Sequence, residues 1–449
     1  MKNLIKKIIT WKLGIIAKMY LRRYKPQIVA VTGNVGKTST KEAIAVVLSR
    51  IKKVRSGKGN LNNEFGVPLT ILGNWADDYY EAGNTLFFWI RVLFVSFFGL
   101  FFQRNYPEVL VLEFGADKPG DIKRLANKFK PHVGVVTAVG EVPVHVEYFS
   151  GPEGVAKEKG RLVEALSVSD FAVLNFDDLA VLEMKERTKA KVFTYGFGEG
   201  EVESEGLPLA GQVNQGAMIR VSNFDTWVDN GITEGVSFKI NYDDSFVPFR
   251  LSGSLGKSQG YAAAAATAVG VIFGMNLVDI SEALSEYHGP KGRLKILKGI
   301  KNSTIIDDTY NASPLSTHLA LETLKDLTGT RKVAVLGDML ELGKYSIQAH
   351  QDVGNVAGSF VDLLICVGSK AKFIADSAFN QMPKENIYRF DTSDEAKLKV
   401  KELIKEGDII LLKGSQGIRM EKVVEEIMAE PENKKELLVR QGKKWVSQS

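Results

Sequence analysis

Directly after the β-branched run Ile28-Val29-Ala30-Val31 the chain reads Thr32-Gly33-Asn34-Val35-Gly36-Lys37-Thr38-Ser39, and it then enters a helical stretch, Thr40–Arg50. A strand, a glycine turn and a helix in that order commit the segment to an α/β architecture and put backbone N–H groups at a helix N-terminus. Glycines let those amides approach an anion closely, and the helix end adds partial positive charge. Lys37 can neutralise β- and γ-phosphates, and the Thr38 hydroxyl can coordinate Mg²⁺. The loop is a shortened Walker motif, with Val31 where the first glycine would stand. It specifies a nucleoside triphosphate and leaves the reaction open. The competing reading, a glycine turn with a chance lysine, does not explain the order of the three elements.

The rest of the chain supports two α/β units. Val109–Leu112 and Val133–Thr137 are further apolar runs without alternation, as expected of parallel strands covered on both faces. Lys191–Leu251, rich in Gly, Asp and Asn, predicts a small antiparallel appendage with strands at Met218–Val221, Val236–Ile240 and Phe249–Leu251. An Ala-rich helix over Tyr261–Val269 follows. A second unit begins near Gly292, with strands at Thr304–Asp307, Val333–Leu336, Leu363–Val367 and Ile409–Leu412 and a charged tail from Pro431. The expected division is 1–27 as a basic amphipathic helix, 28–290 as a central ATP-binding domain with an apolar insertion at 84–105, and 291–449 as a C-terminal Rossmann-like domain. At 449 residues, more than one core is required. The single cysteine, Cys366, lies in an apolar run, which excludes an internal disulfide and a Cys-based metal site. Neither unit carries a basic stripe with interleaved aromatics, so nucleic acid is not an expected partner.

Two segments depart from a plain soluble pattern. Lys2, Lys6, Lys7, Lys12, Lys18, Arg22, Arg23 and Lys25 precede the first acid, Glu42, and Leu4, Ile5, Ile8, Ile9, Ile15, Ile16 and Met19 recur between them at roughly helical spacing. A basic amphipathic helix of this kind suits an anionic membrane surface; a solvated helix packed on its own domain is the alternative. Leu86–Phe102, LFFWIRVLFVSFFGLFF, contains one charge, Arg91, in seventeen residues. Spanning a bilayer there would divide one sheet between two sides of a membrane, so a helix lying in the interface is expected, against a core helix or an oligomer contact. The expected location is cytoplasmic, peripheral at the inner face of the membrane through 1–25 and 86–102.

Specificity comes from the blocks around the phosphate loop. Gly33–Ser39, Gly59-Asn60-Leu61-Asn62-Asn63-Glu64-Phe65-Gly66-Val67-Pro68-Leu69-Thr70, Leu112-Glu113-Phe114-Gly115, Asp307-Asp308-Thr309-Tyr310-Asn311-Ala312-Ser313-Pro314, Leu336-Gly337-Asp338-Met339-Leu340-Glu341-Leu342-Gly343 with His350 beyond, and Lys413-Gly414-Ser415-Gln416-Gly417 together resemble the Mur ligase family. The likeness runs in register from about Ile28 to Glu426, and it is strongest to the branch that adds D-alanyl-D-alanine. The resemblance implies an ATP- and Mg²⁺-dependent amide ligase acting as a monomer on a muropeptide precursor and D-alanyl-D-alanine. It further implies that Lys37, Glu113, His145, Lys159 and Arg293 carry catalysis. Thr38, Glu113, His145 and Lys159 would serve the metal, Lys159 as a carbamate. Gly33, Asn34, Val35, Gly36, Lys37, Thr38, Ser39, Gln259, Arg293, Asp308 and Asn311 would serve the nucleotide. Asp338, Glu341, Lys413 and Ser415 would face the incoming amine, with helix capping and ion pairing as the alternative.

Three departures from the family pattern stand out. Only thirty-two residues precede Gly33, where members carry a UDP-binding domain. The apolar segment at 86–102 has no counterpart in typical soluble members. Gly253-Ser254-Leu255-Gly256-Lys257-Ser258-Gln259 replaces an HN-type adenine motif, leaving Gln259 to supply an amide. Two alternatives stay open: a Mur-type ligase with another amine or a lipid-linked acceptor, and a non-catalytic membrane-associated scaffold of the same fold.

Overall fold

The computed structural model describes residues 2–59, 61–82, 85–198, 217–329, 331–442 and 445, with the side chains of 2–5 and 82 left aside. Asn60 of the asparagine-rich block, Lys2, Leu4 and Ile5 as side chains, position 84 of the apolar insertion and 199–216 of the predicted appendage therefore lie outside the described residues.

Helix α1 (Lys2–Tyr24) leads into β1 (Gln27–Thr32), whose last five residues are buried as the unalternating run requires. Helix α2 (Lys37–Ser49), strand β2 (Val54–Ser56), helices α3 (Gly66–Leu72), α4 (Ala76–Ala82) and α5 (Leu86–Phe102), and strand β3 (Val109–Glu113) follow. Next come α6 (Asp121–Phe129), β4 (Val133–Val136), α7 (Pro152–Glu164), β5 (Phe171–Asn175), α8 (Leu179–Leu182) and β6 (Lys191–Gly196). Strands β7 (Ala217–Asp229), β8 (Ile232–Tyr242) and β9 (Ser245–Ser252) precede α9 (Lys257–Ile272) and α10 (Leu277–Ser285).

These nine strands form one sheet in the order β2-β3-β1-β4-β5-β6-β7-β8-β9. Strand β7 pairs parallel with β6, and β8 and β9 continue antiparallel. The predicted appendage is thus corrected: its strands extend the central sheet. They pack Phe238, Phe249 and Leu251 into the same core as the Ala-rich helix α9. The alanines keep α9 thin, so it lies against α2 and β6 at close range.

The second sheet contains β10 (Lys295–Lys298), β11 (Thr304–Asp308), β12 (Lys332–Gly337), β13 (Leu363–Val367), β14 (Ile387–Phe390) and β15 (Ile409–Lys413), in the order β10-β11-β15-β12-β13-β14. Its helices are α11 (Pro314–Asp326), α12 (Ser346–Gly358), α13 (Lys372–Ala378), α14 (Ser393–Leu403), α15 (Glu421–Ile427) and α16 (Lys434–Leu437). All pairs are parallel except β10–β11. The described part of the charged tail, up to residue 442, packs on this unit. Leu438 is buried in its core, and the Arg440 guanidinium donates to Glu421 Oε2 and to the Thr309 carbonyl, both at 3.0 Å. Charge in the sequence masked the fact that Arg440 has a buried carboxylate waiting for it.

Candidate active site

The phosphate loop sits on the central strand β1, flanked by β3 and β4. This is the crevice at the C-terminal strand ends where α/β sheets hold ligands. Gly33 has φ 140°, and a Cβ there would stand 2.0 Å from the Thr137 hydroxyl. Gly36 is left-handed at φ 87° and caps α2. Asn34 and Val35 donate their N–H groups to Ala138 O at 2.7 and 3.1 Å, and Asn34 Nδ2 reaches Val139 O at 3.2 Å. The Lys37 ammonium folds back on Asn34 O at 3.1 Å. Ser39 is buried, and its carbonyl accepts from Tyr287 Oη at 3.3 Å.

Glu113, at the end of β3, meets this loop. Thr38 Oγ1 donates to Glu113 Oε2 at 3.0 Å, and Asn62 Nδ2 donates to Glu113 Oε1 at 3.1 Å. Burial pushes the Glu113 carboxyl up, but the charges of Lys37 and Lys41 and the two hydrogen bonds outweigh it, so it is held below the usual carboxylate range. Burial, with Arg293 adding to it, pushes the Lys37 ammonium down against the pull of Glu113 and Asp117. The buried amine of Lys159, on α7, is pushed down to about 7, first by burial and then by the charge of Lys37; Glu158, Glu113 and Asp117 oppose this. Lys37, Thr38, Glu113, Lys159 and Arg293 therefore share one field. Lys157, Lys159's neighbour on α7, is exposed.

Three residues in this field escaped the sequence reading: Lys41, Asp117 and Glu158, the buried neighbour of Lys159 on α7. Lys41 is 1% exposed, donates to Gly57 O and contributes its charge to Glu113. Asp117 acts on both Lys37 and Lys159. Helical spacing of Lys41 from Lys37 (i, i+4) was the available signal.

His145 and Arg293 mark the meeting of the two units. His145 has φ 66° and Glu341, across the cleft, has φ 64°; His145 Nδ1 lies 2.8 Å from Glu341 Oε2. Left-handed backbone at two facing non-glycine residues is costly, and such strain concentrates where geometry serves function. The Arg293 guanidinium stacks 4.1 Å above the Tyr310 ring, and its carbonyl accepts from Gln259 Nε2 at 3.4 Å. Gln259 is fully buried, and its Oε1 has no partner.

Other candidates are turned inward. Asp308 Oδ2 accepts from the Lys413 ammonium at 2.5 Å, and the same ammonium reaches Asn311 O at 3.0 Å. Both partners are buried, so their charges compensate each other beside the cleft. Asp338 accepts from the N–H groups of Lys370 and Ala371 at 2.9 and 2.7 Å. Ser415 Oγ accepts from Leu340 N at 2.9 Å. His350 is buried, its Nε2 accepting from Met339 N at 2.9 Å and its Nδ1 donating to Ser346 O at 2.6 Å. Of the four residues expected to face an amine, Glu341 alone reaches across the cleft; Asp338, Lys413 and Ser415 brace loops.

A cavity of about 650 Å³ opens beside the phosphate loop. Val35, Gly36, Asn175, Tyr195 and Tyr261 line one side, and Leu315 and His318 of the second unit line the other. Asp178 shapes its floor by accepting from Val139 N and Gly140 N at 2.7 and 3.0 Å. Its size and mixed lining suit a nucleoside.

Among the described residues no three Asp, Glu, His or Cys side chains come together as a ready cage for a metal. Mg²⁺ does not require one: it keeps several waters and binds through one or two carboxylates plus phosphate oxygens. The Glu113 carboxylate and Thr38 hydroxyl, adjacent hard oxygens beside the loop, fit that demand.

A model of the Mur ligase middle domain matches residues 95–238, and one of the Mur ligase glutamate ligase domain matches 292–416. The UDP-N-acetylmuramoyl-tripeptide--D-alanyl-D-alanine ligase of Bacillus subtilis (strain 168) is 30% identical over 420 residues, covering 93% of this chain and 79% of its own length. Among solved structures, MurF ligase from Thermotoga maritima in complex with ADP matches with a TM-score of 0.73 at 25% identity, over 95% of this chain and 84% of that one. MurF from Acinetobacter baumannii matches with a TM-score of 0.71 at 25% identity, over 92% and 79%. Sequence blocks, two-sheet architecture and phosphate-loop geometry agree with these likenesses: the chain belongs to the Mur ligase family.

Proposed function

We propose that this chain is an ATP-dependent ligase that joins D-alanyl-D-alanine to the stem-peptide carboxylate of a peptidoglycan precursor, with Mg²⁺ as its metal. The observation that carries the reading is the convergence of Lys37, Thr38, Glu113 and the buried amine of Lys159 beside the C-terminal ends of β1 and β3, with Arg293 arriving from the second unit. The acceptor carboxylate takes the γ-phosphoryl group of ATP, giving an acyl phosphate and ADP. The dipeptide amine then attacks the acyl carbon, phosphate leaves, and the nitrogen sheds its proton.

In this scheme Lys37 and the α2 N-terminus hold the transferring group, and Arg293 adds a second cation from the opposite side. Glu113 and Thr38 would hold Mg²⁺, with His145 and a carbamylated Lys159 serving a second ion; bound metal spreads the negative charge of the phosphoryl group. Gly33, Asn34, Val35, Gly36 and Ser39 frame the phosphates, and the cavity beyond Val35 takes the nucleoside. Gln259, Asp308 and Asn311 act at the junction by fixing Arg293 and its loop. Because Arg293 and Glu341 come from the second unit, turnover requires both units to be together.

The enzyme works in the cytoplasm, peripheral at the inner face of the membrane through 1–25 and 86–102. The test is ADP release with a panel of amines, D-alanyl-D-alanine included, against nucleotide-linked and lipid-linked muropeptide acceptors. Release that depends on D-alanyl-D-alanine and disappears in Lys37→Ala, with an unchanged circular dichroism spectrum, is expected. Preference for another amine would move the chain to a different Mur-type reaction. Absence of turnover with every amine and acceptor would leave a scaffold.

A further inference from the structure

Helix α5 buries one narrow face: Phe88, Trp89, Val92, Ser96 and Leu100. Apart from the half-buried Leu93 and Gly99, the remaining circumference faces solvent, including Phe87 at 77% exposure, Phe94 at 63% and Phe102 at 76%. Soluble monomers rarely leave a contiguous apolar surface of this kind uncovered. Arg91, its one charge, is drawn away toward α4, 3.3 Å from Asp78 and 5.5 Å from the Trp75 ring.

Helix α1 lies beside it. Tyr20 Oη donates to Ser96 O at 2.9 Å, and Tyr24 Oη reaches Leu100 O and Gln103 O at 3.2 and 2.8 Å. The two helices therefore run in the same direction. Helix α1 also exposes Ile8, Trp11 and Ile15, the tryptophan at 65%. Lys6, Lys7, Lys12, Lys18, Arg22 and Arg23 are exposed along it and Lys25 directly after it, with no acid on the helix. At its N-terminal end Lys6, Lys7, Thr10, Trp11 and Lys128 surround a shallow pocket bordered by one acid, Glu64. Gly14 makes room for Lys128: a Cβ there would stand 2.0 Å from the Lys128 amine.

We propose that the exposed faces of α1 and α5 form a monotopic docking surface for a bilayer leaflet containing anionic lipid. Charge decides between occupants. A second copy packed on this face would bury the bases of α1 against helices α1 and α5 of its partner, neither of which carries an acid to pair them, whereas anionic headgroups complement them. The aromatic and aliphatic side chains of α5 then enter the headgroup–acyl boundary. The helix lies in the interface and does not cross it. β2 and β3, on either side of α5 in sequence, are adjacent strands of one sheet, and no helix among the described residues is long and apolar enough to span.

This inference deepens the peripheral location proposed above and is independent of the chemistry. The test is flotation of the full chain, without nucleotide, on phosphatidylcholine vesicles with and without phosphatidylglycerol. Binding that requires the anionic lipid, weakens at high salt and shifts the Trp11 emission to the blue is expected. Phe94→Ser with Phe98→Ser lowers partitioning at least about tenfold, and each of Lys6→Gln, Lys7→Gln and Lys12→Gln lowers it about fivefold. Equal recovery in the soluble fraction with and without anionic vesicles overturns the proposal. So does a dimer in sedimentation equilibrium that Phe94→Ser with Phe98→Ser dissolves, since the face then belongs to a second copy. ADP release by the serine double variant separates the two readings: lost docking with intact turnover confirms that the face acts on lipid and not on catalysis, while intact docking without turnover in the wild type refutes the ligase reading alone.

Discussion

A lysine can be carbamylated only as a free amine, so Lys159 provides a sharp test of the site. Its amine, 2% exposed and pushed down to about 7, is about three-quarters neutral at pH 7.5, whereas an ordinary lysine is neutral about one part in a thousand there. The enclosure thus raises the reactive fraction several-hundred-fold. The neutral nitrogen attacks carbon dioxide, an N–C bond forms, and one proton is lost to solvent, leaving an anion where a cation would have repelled Lys37. Below pH 7 the reactive fraction falls about tenfold per unit. The assay pairs ¹³C NMR of protein equilibrated with labelled bicarbonate with amine-dependent ADP release in buffer depleted of carbon dioxide. A carbamate resonance and activity are expected to decline together from pH 7.5 to 6 and to be restored together by added bicarbonate. Lys159→Arg keeps a cation that does not deprotonate and is expected to lose about 10²–10⁴-fold in turnover. Bicarbonate-independent activity across this range, with a Lys159→Arg variant within tenfold of wild type, would refute the reasoning.

Glu113→Gln keeps the contact with Asn62 but removes the anion beside Thr38; turnover should fall about 10²–10³-fold, and the Mg²⁺ concentration for half-maximal ADP release should rise. Arg440→Ala leaves Glu421, 1% exposed, with Arg419 as its remaining cation, which should cost about 3 kcal/mol in urea unfolding and loosen the Thr309–Tyr310 backbone. Asp307 is pushed up from 3.8 to about 6, chiefly by burial. Between those values the unfolded chain is ionised while the folded one still holds the proton, so stability falls as pH rises through that window and stays lower above it. Asp307→Asn should remove that dependence and raise the unfolding free energy at pH 8 by at most about 3 kcal/mol; a pH profile unchanged from wild type would contradict the assignment.

What the sequence made legible was local. The phosphate loop, β1, β3, β4 and four strands of the second unit (β11, β12, β13 and β15) follow from unbroken apolar runs and glycine placement, and each falls within a residue or two of its observed bounds, whereas the outer strands β10 and β14 were not expected. Long-range pairing was not legible. The polar composition of Lys191–Leu251 suggested a separate module, but β7 hydrogen-bonds to β6 and carries the sheet onward. Strand β5, which delivers Asn175 to the nucleoside cavity, was not among the expected strands, although its apolar run Phe171–Leu174 is as long as those read for β1 and β3. Polar side chains in the second unit misled for another reason. Asp338 and Ser415 satisfy backbone N–H groups, and the Lys413–Asp308 pair joins residues a hundred positions apart. Spacing along the chain carries no signal of such partners.

The ladder that joins β1 to its neighbours has a consequence for how this enzyme could have acquired new surroundings. Gly33 and Glu113 are set by backbone registration, Val31 opposite Glu113 on one side and Thr32 opposite Val136 on the other, not by the loops that connect those strands. A greasy helix inserted ahead of β3 leaves that registration untouched. On the lipid-docking proposal, reaction chemistry and cellular address can therefore diverge independently, and replacing the α5 segment should alter vesicle binding without retuning catalysis.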